Sequence, residues 1–140
     1  METLKAIAQT KVRFDEVDSM SIVWHGSYVK YFEDARVAFG EKYGLGYLDI
    51  YSHGYYAPLV KMDFKFLNPL IFGDSMIIEA EYIPCEGAKI MFKYTVTRAS
   101  DGEIIATGST TQVFLDLQYK LSLYSPDFYS EWKVRNNVQL

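Results

Sequence analysis

At 140 residues the chain is sized for one domain with a substantial hydrophobic core. Its formal net charge of −4 argues against non-specific nucleic-acid binding, and its single cysteine, Cys85, excludes an internal disulfide and a cysteine-based zinc site. Aromatic residues reach 16%, with 12 Tyr and 9 Phe, a share that suits a thick core, a subunit interface or a pocket with apolar walls.

Residues 6–15 carry the β-branched and aromatic character of a first strand through Ile7, Val12 and Phe14. The stretch that follows has no regular period. Asp18, Ser19, Ser21 and Gly26 are turn formers, and Ile22, Val23 and Trp24 make a short apolar patch expected to point inward. From Tyr28 the period changes: Tyr28, Tyr31, Phe32, Ala35, Phe39 and Tyr43 follow helical spacing. Ser27 is placed to cap this helix and Gly44 to stop it, giving about four turns. Residues 47–53 predict a second, short helix closed by Gly54.

The second half reads as strands. Residues 59–67 alternate, with Val60, Met62, Phe64 and Phe66 on one face and Lys61, Asp63 and Lys65 on the other. Asn68-Pro69 marks a turn, and residues 75–82 a further strand with Glu79 and Glu81 outward. Residues 89–98 alternate again, and Ser100-Asp101-Gly102 signals a hairpin. Residues 103–117 read as one long strand, and residues 127–132 as a short helix. Short turns favour antiparallel neighbours, so the order predicts a long helix packed across an antiparallel sheet, an α+β fold. The whole of 1–140 is read as a single domain, with a core over about 6–117 and an extension over 118–140.

The segment METLKAIAQTK lacks an apolar core of signal-peptide length, and no run approaches the ~18 apolar residues of a membrane span. A cytoplasmic chain with no membrane partner is expected.

Chemistry concentrates in RFDEVDSMSIVWHGSYVKYFEDARVAFGEKY, where a polar loop runs onto a helix start. Backbone N–H groups at a helix start are unpaired and favour developing negative charge. Asp18 is a candidate base or nucleophile there, because partial desolvation makes a carboxylate more basic, although spacing alone favours a turn cap. His25 offers either its ring or its backbone N–H, the latter as an oxyanion donor. His53 reads as a surface residue, and the two histidines lack metal-ligand spacing. Glu33 and Arg36 read as an i, i+3 ion pair, and the lysines of residues 61–93 as solubilising. Cys85 reads as a small residue near a turn. There is no nucleophile elbow, phosphate-binding loop or dinucleotide fingerprint.

The run R-F-D-E-V-D-S-M-S-I-V-W-H-G-S-Y, followed by F-E-D-A-R, resembles the opening of hotdog-fold acyl-CoA thioesterases of the 4-hydroxybenzoyl-CoA thioesterase-like group. F-L-N-P-L-I-F-G-D resembles the same group's aromatic-x-x-Pro-x-x-x-Gly-Asp segment. The resemblance spans residues 11–117 and implies a hotdog fold, a five-stranded antiparallel sheet wrapped around one long α-helix. It implies hydrolysis of an acyl-CoA thioester, with Asp18 as general base or nucleophile and the His25 N–H at the thioester carbonyl. Tyr28, Trp24, Ser21 and Phe32 are then the substrate contacts. No metal or other cofactor is implied, and the partner is a second copy of the chain, as a homodimer or homotetramer with the site at the interface. One departure stands out: the family's Gly three residues after the acid is Ser21 here. The other readings are an acyl-carrier-protein thioesterase, a hotdog dehydratase, and an acyl-CoA-binding protein without turnover.

Overall fold

A computed structural model describes residues 3–138. The first strand, β1 (Lys5–Lys11), is followed by a 3-10 turn at Phe14–Glu16 and the long helix α1 (Ser27–Tyr43). Next come α2 (Tyr47–Ser52), β2 (Tyr55–Tyr56), β3 (Leu59–Phe66), β4 (Ser75–Ile83) and β5 (Lys89–Arg98). The chain ends with β6 (Ile104–Val113), β7 (Leu115–Asp116) and α3 (Asp127–Arg135). The five main strands are antiparallel in the order β1-β4-β5-β6-β3, and β2 pairs with β7 apart from them.

The sheet wraps α1. Tyr31, Phe32, Ala35 and Phe39, one stripe of the helix, are buried against it. Phe32 stacks on Tyr94 at 4.4 Å and on Phe64 at 5.2 Å, while Phe39 meets Phe92 edge-on at 4.8 Å. Each large side chain removed from water this way contributes roughly 1.5–3 kcal/mol. The close approach needs Gly108 in β6, where a Cβ would overlap the Phe32 ring and come 2.5 Å from the Asp63 carbonyl. Gly44 ends α1 in the left-handed conformation, φ 71°, as its position predicts.

The elements depart from the sequence reading at definite points. The strand expected over 6–15 stops at Lys11, because Glu16 folds back to accept the Arg13 N–H at 2.8 Å. Ser27 is not the cap of α1: Gly26 is, and Ser27 sits buried in the first turn with its hydroxyl donating to the Glu16 carbonyl. In β3 the alternation breaks at a bulge between Leu59 and Lys61, which leaves Val60 exposed. The long strand over 103–117 is two, because Phe114 turns wholly inward among Tyr55, Phe128 and Tyr129 and releases β7 from the main sheet. Arg36 reaches the Tyr94 hydroxyl at 3.5 Å, and no Glu33–Arg36 ion pair forms among the described residues.

Nor does the core end at residue 117. Tyr129 and Trp132 of α3 are buried, and the Trp132 indole donates to the Tyr43 carbonyl at 2.7 Å. Lys133 donates to the Cys85 carbonyl at 3.0 Å; burial pushes the neighbouring half-buried thiol up, against the pull of Lys133 and Lys89. Among the described residues no helix is long and apolar enough to cross a membrane.

Candidate active site

Residues 17–26 form a loop whose two ends are tied to one residue. The Glu16 carbonyl accepts the Trp24 N–H at 3.2 Å and the Ser27 hydroxyl at 3.1 Å. The Glu16 carboxylate is buried. It accepts the Arg13 N–H and, at 3.0 Å, the Tyr31 hydroxyl, and pairs with Lys30 at 3.1 Å. Burial pushes this carboxyl up, but the Arg13 N–H, the Lys30 ammonium and the Tyr31 hydroxyl together hold it below the usual carboxylate range. Inside the loop, Val17 bridges to Val23 and Ile22 to Ile71. The Val23 N–H donates to the Leu70 carbonyl at 2.9 Å and the Phe72 N–H to the Ser21 carbonyl at 3.2 Å. The two sequence motifs, 13–28 and 66–74, therefore lie side by side.

Asp18 is half-buried at the first bend of the loop. Its Oδ1 accepts the Met20 N–H at 2.8 Å and the Ile22 N–H at 3.3 Å, so it does cap a turn. Its Oδ2 has no partner among the described residues and is left for water or substrate. At the other end of the loop, neither the His25 nor the Gly26 N–H donates to any group among the described residues. These two donors sit at the positive end of α1.

Between loop and sheet lies an open cavity of about 280 Å³, walled by Ile22, Val23, His25, Tyr28, Phe66 and Pro69 among others. Tyr28 is only 3% exposed, yet its hydroxyl has no partner among the described residues, and burial pushes its pKa up to about 12. It is a neutral hydroxyl at the edge of an apolar cavity. A larger cavity, about 550 Å³, lies further along α1 beside α2, lined by Arg36, Val37, Leu48 and Leu59; His25 and Tyr28 are not in its wall, and Asp18 lines neither cavity. Among the described residues no group of three or more His, Cys, Asp or Glu side chains gathers as a metal site.

The other expected contacts fall differently. Trp24 does not point inward: it is 47% exposed, with its ring edge-on to His25 at 5.3 Å and lying over Gly26, where a Cβ would overlap the indole. Phe32 has no exposed surface and presents nothing to a substrate; one turn past Tyr28 the helix is already beneath the sheet. His53 is exposed and stacks on Phe128 at 4.5 Å. Sequence reasoning gave Glu16 no role and read Gly26 only as a turn former. The histidine-glycine pair before a helix was a legible signal for two free N–H groups. Nothing local marks Glu16, whose partners lie up to fifteen residues away.

Ser21 adopts φ 61°, the left-handed region. That conformation costs an L-residue roughly 1–2 kcal/mol, and glycine adopts it freely. Ser21→Gly is expected to raise the melting temperature by about 2 °C, since relief of strain exceeds glycine's extra unfolded entropy by about 0.5 kcal/mol. A thermal melt showing no gain or a loss would mean that the serine hydroxyl stabilises the bend.

Comparison with known proteins identifies the family and the fold. The thioesterase-like superfamily matches residues 12–132. A 1,4-dihydroxy-2-naphthoyl-CoA hydrolase of Prochlorococcus marinus is 24% identical, over 94% of this chain and 91% of that one. The acyl-acyl carrier protein thioesterase ATL3 of Arabidopsis thaliana is 27% identical, over 80% of this chain and 59% of that one. The crystal structure of a DHNA-CoA thioesterase from Staphylococcus aureus superposes with a TM-score of 0.81 at 24% identity, covering 95% and 93% of the two chains. The match across nearly the whole chain, on a sheet of this order wrapped around α1, places the protein in the thioesterase-like superfamily as a hotdog-fold thioesterase.

Proposed function

We propose that the protein hydrolyses an acyl-CoA thioester to the free acid and CoA at the loop of residues 17–26. The observation that carries the reading is the pairing, in one tied loop, of a carboxylate oxygen without a partner on Asp18 with two undonated N–H groups at His25 and Gly26. Asp18 takes a proton from water as the water oxygen attacks the thioester carbonyl carbon. The carbonyl oxygen becomes an oxyanion facing the His25 and Gly26 N–H groups, which strengthen as charge develops. The C–S bond then breaks, and the CoA thiolate takes the proton from Asp18. The Oδ1 hydrogen bonds fix the carboxylate with Oδ2 free, an arrangement that serves a base or a direct nucleophile. In a single turnover in ¹⁸O-water, label in Asp18 marks direct attack through an anhydride hydrolysed at the enzyme carboxyl, whereas base-assisted attack by water puts the label in the product acid alone. Tyr28 adds a neutral hydroxyl at the cavity edge.

β3 lies at the sheet edge, with its outer rim unpaired in the single chain and Val60 and Phe66 exposed, which supports pairing with a second copy. The test is thiol release from benzoyl-, 4-hydroxybenzoyl-, acetyl-, hexanoyl- and palmitoyl-CoA, on protein sedimenting above the 16.2 kDa of one chain. Turnover of at least one substrate is expected. No turnover on any, with the acyl groups released instead from a carrier protein, would favour the second reading, which the relative acting on acyl-acyl carrier protein supports. Tight binding with no release from either would make the protein an acyl-CoA-binding module. A monomer at micromolar concentration would overturn the shared interface.

A further inference from the structure

The end of the molecule that carries Asp18 also carries an aromatic, basic shelf with no part in the chemistry above. Phe14 and Phe72 meet edge to face with ring centroids 5.9 Å apart, yet they are 79% and 53% exposed. Paired bare phenyl rings offer apolar surface that a planar ligand can cover. Beside them an open cavity of about 500 Å³ runs between the end of β1 and the loop before β4, lined by Thr10, Lys11, Val12, Arg13 and the two rings. No carboxylate lines it. Lys11 and Arg13 are exposed, and neither has an ion-pair partner among the described residues. In a chain of net charge −4, such a cluster departs from the average surface. The shelf is fixed to the candidate site: the Phe72 N–H holds the Ser21 carbonyl, and the Arg13 N–H holds Glu16.

We propose that this shelf receives the nucleotide end of a CoA thioester, with the adenine against Phe14 and Phe72 and a phosphate group on Lys11 and Arg13. The proposal rests on the acyl-CoA reading above. An acyl group has no use for two cations, whereas CoA ends in a planar base and a phosphomonoester, the pair of chemistries that exposed rings and unpaired cations recognise. The bond from the Phe72 N–H to the Ser21 carbonyl puts the shelf against the loop that carries Asp18, so one extended ligand can span both.

The experiment compares one acyl group carried on CoA with the same group carried on pantetheine, which lacks the nucleotide. In the double variant Lys11→Gln, Arg13→Gln, and separately in Phe72→Ala, KM for the acyl-CoA is expected to rise about tenfold with kcat unchanged, while the pantetheine thioester keeps its wild-type constants. A matched loss of two charges elsewhere, Lys93→Gln with Lys120→Gln, is expected to leave both substrates unaffected. Titration calorimetry with 3′,5′-ADP gives a readout without turnover: binding to wild type, lost in the double variant. The proposal is overturned if KM changes equally for both thioesters or for neither. It is also overturned if Phe72→Ala alters only the sedimenting mass while 3′,5′-ADP still binds, which would make the shelf a contact between copies. Failure of wild type to turn over any thioester would remove the acyl-CoA reading, and the calorimetry would still decide whether the shelf takes the nucleotide.

Discussion

Asp18→Asn is expected to lower kcat for thioester hydrolysis by about a thousandfold, within the range that a positioned general base contributes. KM and the melting temperature should stay near wild type. The argument lies in the two oxygens of the carboxylate. Oδ1 holds the turn by accepting the Met20 and Ile22 N–H groups, and an asparagine Oδ1 accepts the same two bonds. The side chain so substituted keeps the bend and loses the charge and the proton-accepting lone pairs of Oδ2. Asp18→Ala loses both. The two variants therefore separate chemistry from architecture. If Asp18 only caps the turn, Asn works like wild type and Ala is destabilised by about 1 kcal/mol, the worth of a lost local acceptor. If it is the base, Asn and Ala are equally slow while only Ala melts early. Steady-state kinetics alongside thermal melts of both variants decide it; an Asn variant within a few-fold of wild type in kcat would remove Asp18 from the mechanism.

The helix and the inner strands were legible because their signals are local. The stripe from Tyr28 to Tyr43 and the stop at Gly44 fix α1, and alternation of buried Ile90, Phe92, Tyr94 and Val96 fixes β5. Junctions were less legible, because tertiary contacts decide them. Residues 12–15 have strand composition, but a carboxylate three residues past Arg13 turns the chain. Phe114 has the propensity to continue β6, but the pocket left by Tyr55 and the third helix takes its side chain. Phe32 shows the limit of helical spacing most clearly. Spacing puts it on the same stripe as Tyr28 and cannot say that one turn deeper lies under the sheet. The missing signal was Gly108, a glycine inside a strand, which marks close approach of a bulky neighbour. Asp18 and His25 are near in sequence, so their location on one loop before α1 was legible in the motif alone. Ser21 at φ 61° explains in physical terms why glycine suits that position.

Glu16→Ala is expected to destabilise the protein by about 3 kcal/mol, lowering the melting temperature by roughly 10 °C. The carboxylate is the one buried acid at the site, and three donors converge on it. Truncation leaves the buried Tyr31 hydroxyl and the Arg13 N–H without an acceptor, and the deficit of those groups, more than the half-exposed Lys30 pair, sets the size of the loss. The same carboxylate gives the fold a definite pH dependence. Its folded pKa lies below its ordinary value of 4.5, so its contribution is complete above that pH and is lost as pH falls through the folded value. Glu16→Gln keeps an acceptor for Arg13 and Tyr31 but does not titrate. Urea unfolding of wild type and Glu16→Gln should therefore show a constant stability gap from pH 7 to about 5, narrowing as the pH drops further. A gap that is flat or widens toward acid would mean that the charge on Glu16 does not stabilise the native state. Function follows from the same bonds. The backbone carbonyl's bonds to Trp24 and Ser27 survive Glu16→Ala, but the carboxylate's bonds to Tyr31 and Lys30, which anchor the start of the loop to α1, are lost. The Asp18 end therefore loosens relative to the His25 and Gly26 N–H groups. The variant's kcat should fall at temperatures well below melting, where every molecule is still folded.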